Sequence, residues 1–224
     1  MPARLLLVAV VGLTAVACGP SDANITTPMS SSTSMPAAES TTTSMADAPP
    51  PAPPSKVMVD FADPASVTGW SNVDDSVMGG VSDSRTFWEA GALVFTGIVS
   101  KDNNGGFVST LSPVDAAFGE RARSATALAV GMRLDSGPAG RYLMWLRSAD
   151  GGRYVAPFTP MSMRGCCFVI IGVAEFVAVD RFLREVRPAT PLNPASIVQM
   201  GFYLLPDVPR ADFRLTLTSI EAVS

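Results

Sequence analysis

The groups best suited to chemistry in this chain sit in three places. Asp74 and Asp75 are adjacent, inside Trp70-Ser71-Asn72-Val73-Asp74-Asp75-Ser76-Val77-Met78-Gly79-Gly80-Val81-Ser82. Asn103 and Asn104 open the run Asn103-Asn104-Gly105-Gly106-Phe107, and Arg147 closes a later apolar stretch. Carboxylates, amides and guanidinium groups bind hydroxyls, and an indole offers a flat apolar face to a sugar ring. Trp70, Asp75, Asn103, Asn104 and Arg147 therefore form a candidate ligand-binding set, on positions that suit loops and strand ends. The same residues also have a plain architectural role. Gly79-Gly80 and Gly105-Gly106 allow backbone angles closed to other residues, the two aspartates can bond backbone N–H groups in turns, and Trp70 and Phe107 can be core. As an enzyme pair, Asp74, Asp75, Asp102 and Glu89 qualify by type alone, and no spacing sets two of them at catalytic separation. A calcium ion on Asp74, Asp75 and Asn103 would lack a ligand loop of recognised spacing. No catalytic residue, metal or cofactor is expected.

Composition narrows the chemistry further. The 224 residues include no histidine, which removes the commonest general base and the commonest metal ligand. Zinc hydrolysis and Ser-His or Cys-His catalysis are not expected on that ground. Sixteen Lys and Arg face twenty Asp and Glu, a net charge of −4, with no basic cluster, so a nucleic-acid partner is not expected.

Cys18 is the one residue with a covalent chemistry of its own. Arg4 precedes an uncharged apolar run from Leu5 to Ala17. At ~1.5 Å per residue this run reaches about 20 Å, short of a ~30 Å hydrocarbon core. It reads as the apolar region of a signal peptide, residues 1–17. The run ends Ala15-Val16-Ala17-Cys18-Gly19, which resembles a lipobox, with Ala15 where leucine is more usual. In lipoproteins of that kind the cysteine thiol carries a diacylglyceryl group and cleavage occurs just before it. The expectation is a chain held by lipid on the exterior, non-cytoplasmic face of a membrane in a bacterial cell envelope, since two or more acyl chains anchor stably.

Residues 18–56 are dominated by Ser, Thr, Pro, Ala and Met and close in Pro49-Pro50-Pro51-Ala52-Pro53-Pro54. Such a segment cannot bury enough apolar surface to offset chain entropy, so a disordered spacer ending in polyproline II is expected. The sequon Asn24-Ile25-Thr26 carries little weight in a bacterial lipoprotein.

The remainder, residues 57–224, must position the chemistry, and its period is two. Leu93, Phe95 and Val99 alternate with Val94, Thr96 and Ile98. Thr126, Leu128, Val130, Met132 and Leu134 form a second row, Tyr142, Met144 and Leu146 a third, and Phe213, Leu215 and Leu217 a fourth. Turn signals separate the rows: Asn103-Asn104-Gly105-Gly106, Ser136-Gly137-Pro138, Asp150-Gly151-Gly152 and Leu205-Pro206-Asp207. Eight or so short strands predict an all-β antiparallel sandwich or jelly roll. Helix is expected only briefly, around Pro113 to Phe118. The apolar stretch from Cys166 to Val179 reads as a buried central strand, with Cys166 and Cys167 as two buried thiols. A vicinal disulfide there would be strained.

The string from Trp70 to Ser82, followed by Phe95-Thr96-Gly97-Ile98-Val99-Ser100 and Asn103 to Phe107, resembles the complex I intermediate-associated protein 30 family. Arg153-Tyr154-Val155-Ala156-Pro157-Phe158, Ile197-Val198-Gln199-Met200-Gly201-Phe202 and Asp212-Phe213-Arg214-Leu215 extend the likeness over most of Phe61 to Ala222. Its motif residues are Asp74, Asp75, Ser76, Val77, Met78, Gly79, Gly80, Asn104, Gly105, Gly106 and Phe107. The resemblance implies a galactose-binding-like sandwich. Between Phe158 and Phe182 the chain departs from the family pattern: a tryptophan and a more polar stretch are expected, and Met163 to Val179 is apolar instead. The family's founding members assemble respiratory complex I in mitochondria, but an exported chain would lie across the membrane from that work, so the assembly role is not carried over. The functional expectation is a non-catalytic binding or assembly module whose partner is an envelope protein or glycan. A carbohydrate-binding lipoprotein using the Asp75, Asn103, Asn104 edge is the alternative, and a carboxylate-dependent glycan-active enzyme the second alternative.

Overall fold

A computed structural model of the chain describes residues 54–138, 140–162 and 168–224. The expected signal peptide, Cys18, the spacer up to residue 53, and the Cys166-Cys167 pair lie outside the described residues.

The described residues form strands β1 (Ser55–Asp60), β2 (Ser71–Asn72), β3 (Asp83–Glu89), β4 (Ala92–Ser100), β5 (Val108–Leu111), β6 (Ala127–Ser136), β7 (Gly140–Ser148), β8 (Arg153–Phe158), β9 (Phe168–Gly172), β10 (Val177–Ala178), β11 (Ile197–Pro206) and β12 (Arg210–Val223). Every pairing is antiparallel. One sheet runs β3-β4-β12-β6-β9, with β1 added on β12. The other runs β10-β8-β7-β11-β5-β2. The all-β antiparallel sandwich expected from the alternation is what the chain adopts.

The inward rows of the two sheets make one core. Leu93 and Phe95 of β4, Leu128 and Val130 of β6, Met144 and Leu146 of β7, Phe202 of β11, and Phe213, Leu215 and Leu217 of β12 are all buried in it. Phe95 and Phe213 meet edge to face with ring centres 4.8 Å apart, the arrangement that the charge distribution of the rings favours. A smaller apolar cluster, with Leu143, Trp145, Val155 and Val179, lies on the outer side of the second sheet.

Two expectations are corrected. The apolar stretch before Val179 is not a central strand. β9 lies at the end of its sheet, paired only with β6, and it turns Val169 and Ile171 inward while Phe168 and Ile170 stay exposed. Hydrophobicity alone does not distinguish a central strand from an edge one, because a strand on either position still buries one face. The helix lies later than Pro113 to Phe118, at α1 (Ala117–Ala122), which tucks Phe118 and Ala122 into the core.

The long strand β12 sets the axis. Its first half pairs with β4, beginning at Arg210 opposite Ser100. Its second half pairs with β1, ending at Val223 opposite Ser55. Ser224 N–H donates to Pro54 C=O at 3.2 Å. Both ends of the described domain therefore meet at one pole, and the turns around residues 100–107 and 207–210 lie at the other, roughly 40 Å away at strand rise.

Candidate functional site

The motif loop is built around one carboxylate. Asp75 is wholly buried, at 0% exposure, on a single 3₁₀ turn, Asp75–Met78, that follows β2. Its Oδ1 accepts the Ser82 N–H at 2.9 Å. Its Oδ2 accepts the Ser82 hydroxyl at 2.5 Å, the Gly106 N–H at 2.6 Å and the Phe107 N–H at 3.3 Å. The backbone adds Asp75 N–H to Phe107 C=O and Gly80 N–H to Asp75 C=O. One side chain thus ties three segments together: the turn itself, the start of β3, and the loop after β4. Ser82 passes the connection on, since its hydroxyl also accepts the Ser100 N–H at 2.9 Å.

The glycines explain themselves against this carboxylate. A Cβ on Gly80 would stand 2.2 Å from Asp75 Oδ1, and one on Gly105 would stand 2.5 Å from Asp75 Oδ2. Gly79 closes the 3₁₀ turn at φ +90°, where only glycine is unstrained. Burial pushes the Asp75 carboxyl up, but the bonds from Ser82, Gly106 and Phe107 outweigh it and hold the group below the usual carboxylate range.

Asp74 points elsewhere. It is 8% exposed and accepts from the Ser84 hydroxyl at 2.7 Å and weakly from the Ser109 N–H at 3.4 Å. Asn72 Nδ2 donates to the same Ser84 hydroxyl at 2.9 Å, and Thr86 bonds Thr110 at 2.7 Å. These contacts join β2, β3 and β5, so a polar seam closes the sandwich where the edges of the two sheets meet. With fewer donors than Asp75 has, burial prevails and Asp74 is raised from the usual carboxylate value.

The candidate ligand set does not converge. Asp75 is enclosed, and its oxygens are engaged by internal donors, so the expectation that it presents a carboxylate to a ligand is corrected. Asn103 and Asn104 are exposed at the same pole, in left-handed conformation at φ 55° and 61°, and they shape the turn that delivers the Gly106 and Phe107 N–H groups to Asp75. Trp70 lies away from them, in a cleft of about 260 Å³ lined also by Met58, Asp60, Asp115 and Arg121. There its indole N–H donates to Ser66 C=O at 3.0 Å and its ring packs edge-on to Phe61. Arg147 is exposed on the outer side of the second sheet, opposite Gln199 and toward the Ile197 end of β11. The carboxylates considered as an enzyme pair are equally scattered: Glu89 pairs with Arg214 at 2.5 Å, and Asp102 accepts from the Ser100 hydroxyl at 3.0 Å. Among the described residues no three His, Cys, Asp or Glu side chains gather to hold a metal ion.

Beside the exposed Ser76, the turn that Asp75 anchors leaves three apolar side chains outside. Val77 is 72% exposed, Met78 57% and Val81 42%, side by side on the loop that Asp75 anchors. In the sequence Val77 and Met78 are motif residues and Val81 follows the motif glycines; their exposure follows only once Asp75 is known to point inward.

The Asp-Asp-Ser-Val-Met-Gly-Gly string and its partner loop identify the chain. It belongs to the Complex I intermediate-associated protein 30 (CIA30) family, whose model matches residues 59–217. No curated protein matches it. Among solved structures the CIA30 domain is similar in fold to the family 11 carbohydrate-binding module of the cellulosomal cellulase Lic26A-Cel5E of Clostridium thermocellum. That likeness has a TM-score of 0.54 at 14% identity and covers 78% of this chain and 96% of that one. The Clostridium thermocellum module in complex with a beta-1,3-1,4-mixed-linked tetrasaccharide aligns equally well, with TM-score 0.54, 14% identity, and 76% and 95% coverage. At these identities the likeness shows the antiparallel β-sandwich fold and nothing finer.

Proposed function

We infer that this CIA30-family domain is a non-catalytic binding module, held by lipid at Cys18 on the exterior face of a bacterial membrane, and that it docks an envelope protein through the motif loop. The observation that carries this reading is the inward turn of Asp75. It withdraws the carboxylate from the surface and leaves Val77, Met78 and Val81 outside on a braced base. A rigid apolar projection loses little conformational entropy on binding, and methionine adapts to an irregular partner surface. The non-catalytic part is supported by the absence of histidine and by carboxylates that each face separate neighbours. The position of the loop fits the anchor as well, since the domain's N-terminal end lies at the opposite pole.

The test uses the full chain in its native membrane, with a photo-crosslinking residue at Met78 and, separately, at Phe182 on another exposed loop. One discrete adduct specific to position 78 is expected. No adduct, or the same products from both positions, sinks the docking role. Mass spectrometry of the native protein tests the anchor: an acylated Cys18 terminus is expected, and an intact Met1 terminus counts against it. The alternative of a saccharide on the Asp75, Asn103, Asn104 edge loses its carboxylate to the enclosure of Asp75.

A further inference from the structure

The outer side of the first sheet carries a polar groove of about 370 Å³, lined by Asp83, Ser84, Arg85, Thr96, Gly97, Ile98, Ser136, Asp212, Phe213 and Arg214. Strand register arranges its side chains in rows. Asp83 of β3 and Asp212 of β12 flank Ile98 of β4, and Arg85 and Arg214 flank Thr96 in the next row. Neighbouring strands lie about 4.8 Å apart and same-face residues about 7 Å apart along a strand. The four charged side chains therefore mark the corners of a patch about 10 Å by 7 Å, with Ile98 and Thr96 as its floor.

The guanidinium corners are braced. Arg214 pairs with Glu89 at 2.5 Å and lies 3.7 Å from Asp135, which itself accepts the Thr216 hydroxyl. Arg85 and Arg214 both lie over the ring of Phe87, at 5.5 and 6.0 Å from its centre. Asp83 and Asp212 leave acceptor oxygens on the other two corners. An anionic ligand reaching the guanidiniums would lie beside two carboxylates, and a cationic ligand reaching the carboxylates would lie beside two guanidiniums. A neutral ligand whose groups both donate and accept satisfies all four corners, and hydroxyls do this. The exposed edge of Ile98 suits the C–H face of a ring.

We propose that this groove binds a neutral oligosaccharide of at least two linked rings, with Asp83 and Asp212 accepting from its hydroxyls and Arg85 and Arg214 donating to its oxygens. The site is separate from the docking loop and stands or falls without it.

Calorimetry of the full chain in detergent tests this, with four neutral probes: mixed-linkage β-1,3-1,4-glucotetraose, cellotetraose, maltotetraose and the β-1,4-linked tetramer of N-acetylglucosamine. A tetragalacturonate is the charged control. Binding of at least one neutral probe is expected, weakened tenfold or more by Arg85→Ala and by Asp212→Asn, and unchanged by Asn104→Ala. In the unmutated protein, amide resonances of Thr96, Ile98 and Asp212 should shift on saturation while those of Val155 and Tyr203 stay still, a readout that needs no variant. The proposal is overturned if no neutral probe binds, if only tetragalacturonate binds, if the affinity survives both substitutions, or if the shifts fall outside the groove.

Discussion

The motif loop and the groove beside it lie at the same pole and share a border at Ser82 and Asp83, yet they use charge in opposite ways. In the loop a single carboxylate is withdrawn from water and its oxygens are engaged by the chain's own N–H and O–H groups. In the groove four charged groups stand on strand positions at the surface, two of them braced over a phenylalanine. Removing the first kind of charge leaves buried donors without a partner. Removing the second kind leaves a sheet that is still fully hydrogen-bonded. A short specific motif can therefore be architecture, while residues with no motif around them carry the exposed chemistry.

The largest effect that would break this contrast is at Asp75. Asp75→Ala strands the Ser82, Gly106 and Phe107 N–H groups and should cost about 3 kcal/mol or more, lowering Tm by roughly 10 °C in thermal denaturation. A loss below about 1 kcal/mol would mean that water replaces the carboxylate easily and that the loop is not braced. Gly80→Ala comes next. Its Cβ must displace the carboxylate, and about 2 kcal/mol of destabilisation is expected by chemical denaturation. At the surface, Arg85→Ala and Asp212→Asn should stay within about 0.5 kcal/mol of the parent, which sharpens the contrast if Tm is unchanged while saccharide binding falls.

The two adjacent aspartates extend the contrast to pH. The folded value of Asp75 is lowered, so its stabilisation is complete above the unfolded carboxylate value of about 4 and fades as pH falls through the folded value. The Tm gap between the parent and Asp75→Asn should narrow below about pH 4. The folded value of Asp74 is raised, so folding favours its protonated form. Its contribution is complete below about 4 and is lost as pH rises through the folded value. Asp74→Asn, whose amide oxygen can still accept from Ser84, should then be neutral or slightly stabilising at pH 7, by less than about 1 kcal/mol, with the gain vanishing in acid. Equal and like-signed pH responses from the two asparagine variants would show that the neighbours share one environment.

Much of the sandwich was legible because burial on one face imposes period two, and Leu128, Val130 and Met132, Tyr142, Met144 and Leu146, and Phe213, Leu215 and Leu217 enter the core at that period. The family was legible because the Asp-Asp-Ser-Val-Met-Gly-Gly string and the Asn-Asn-Gly-Gly-Phe run that follows it are both local in sequence. The orientation of Asp75 was not, because it depends on Gly106 and Phe107, thirty-one and thirty-two positions away in the chain, reaching the same point in space. The groove was illegible for a related reason. Asp83, Arg85, Thr96, Asp212 and Arg214 look like the polar half of ordinary alternating strands until register sets them side by side. The apolar run before Val179 misled in the other direction, since composition carries no record of how many neighbours a strand will have.

The meeting of Pro54 with Ser224 has a mechanical consequence. β1 enters the fold beside the last residues of β12 and runs antiparallel to them, Ser55 opposite Val223 and Asp60 opposite Ser219. A pull applied at residue 54 and directed away from that pole acts lengthwise along β1. It loads the ladder in shear, so the rungs resist together and do not open one at a time. Resistance to such a load is governed by the unfolding rate rather than by equilibrium stability.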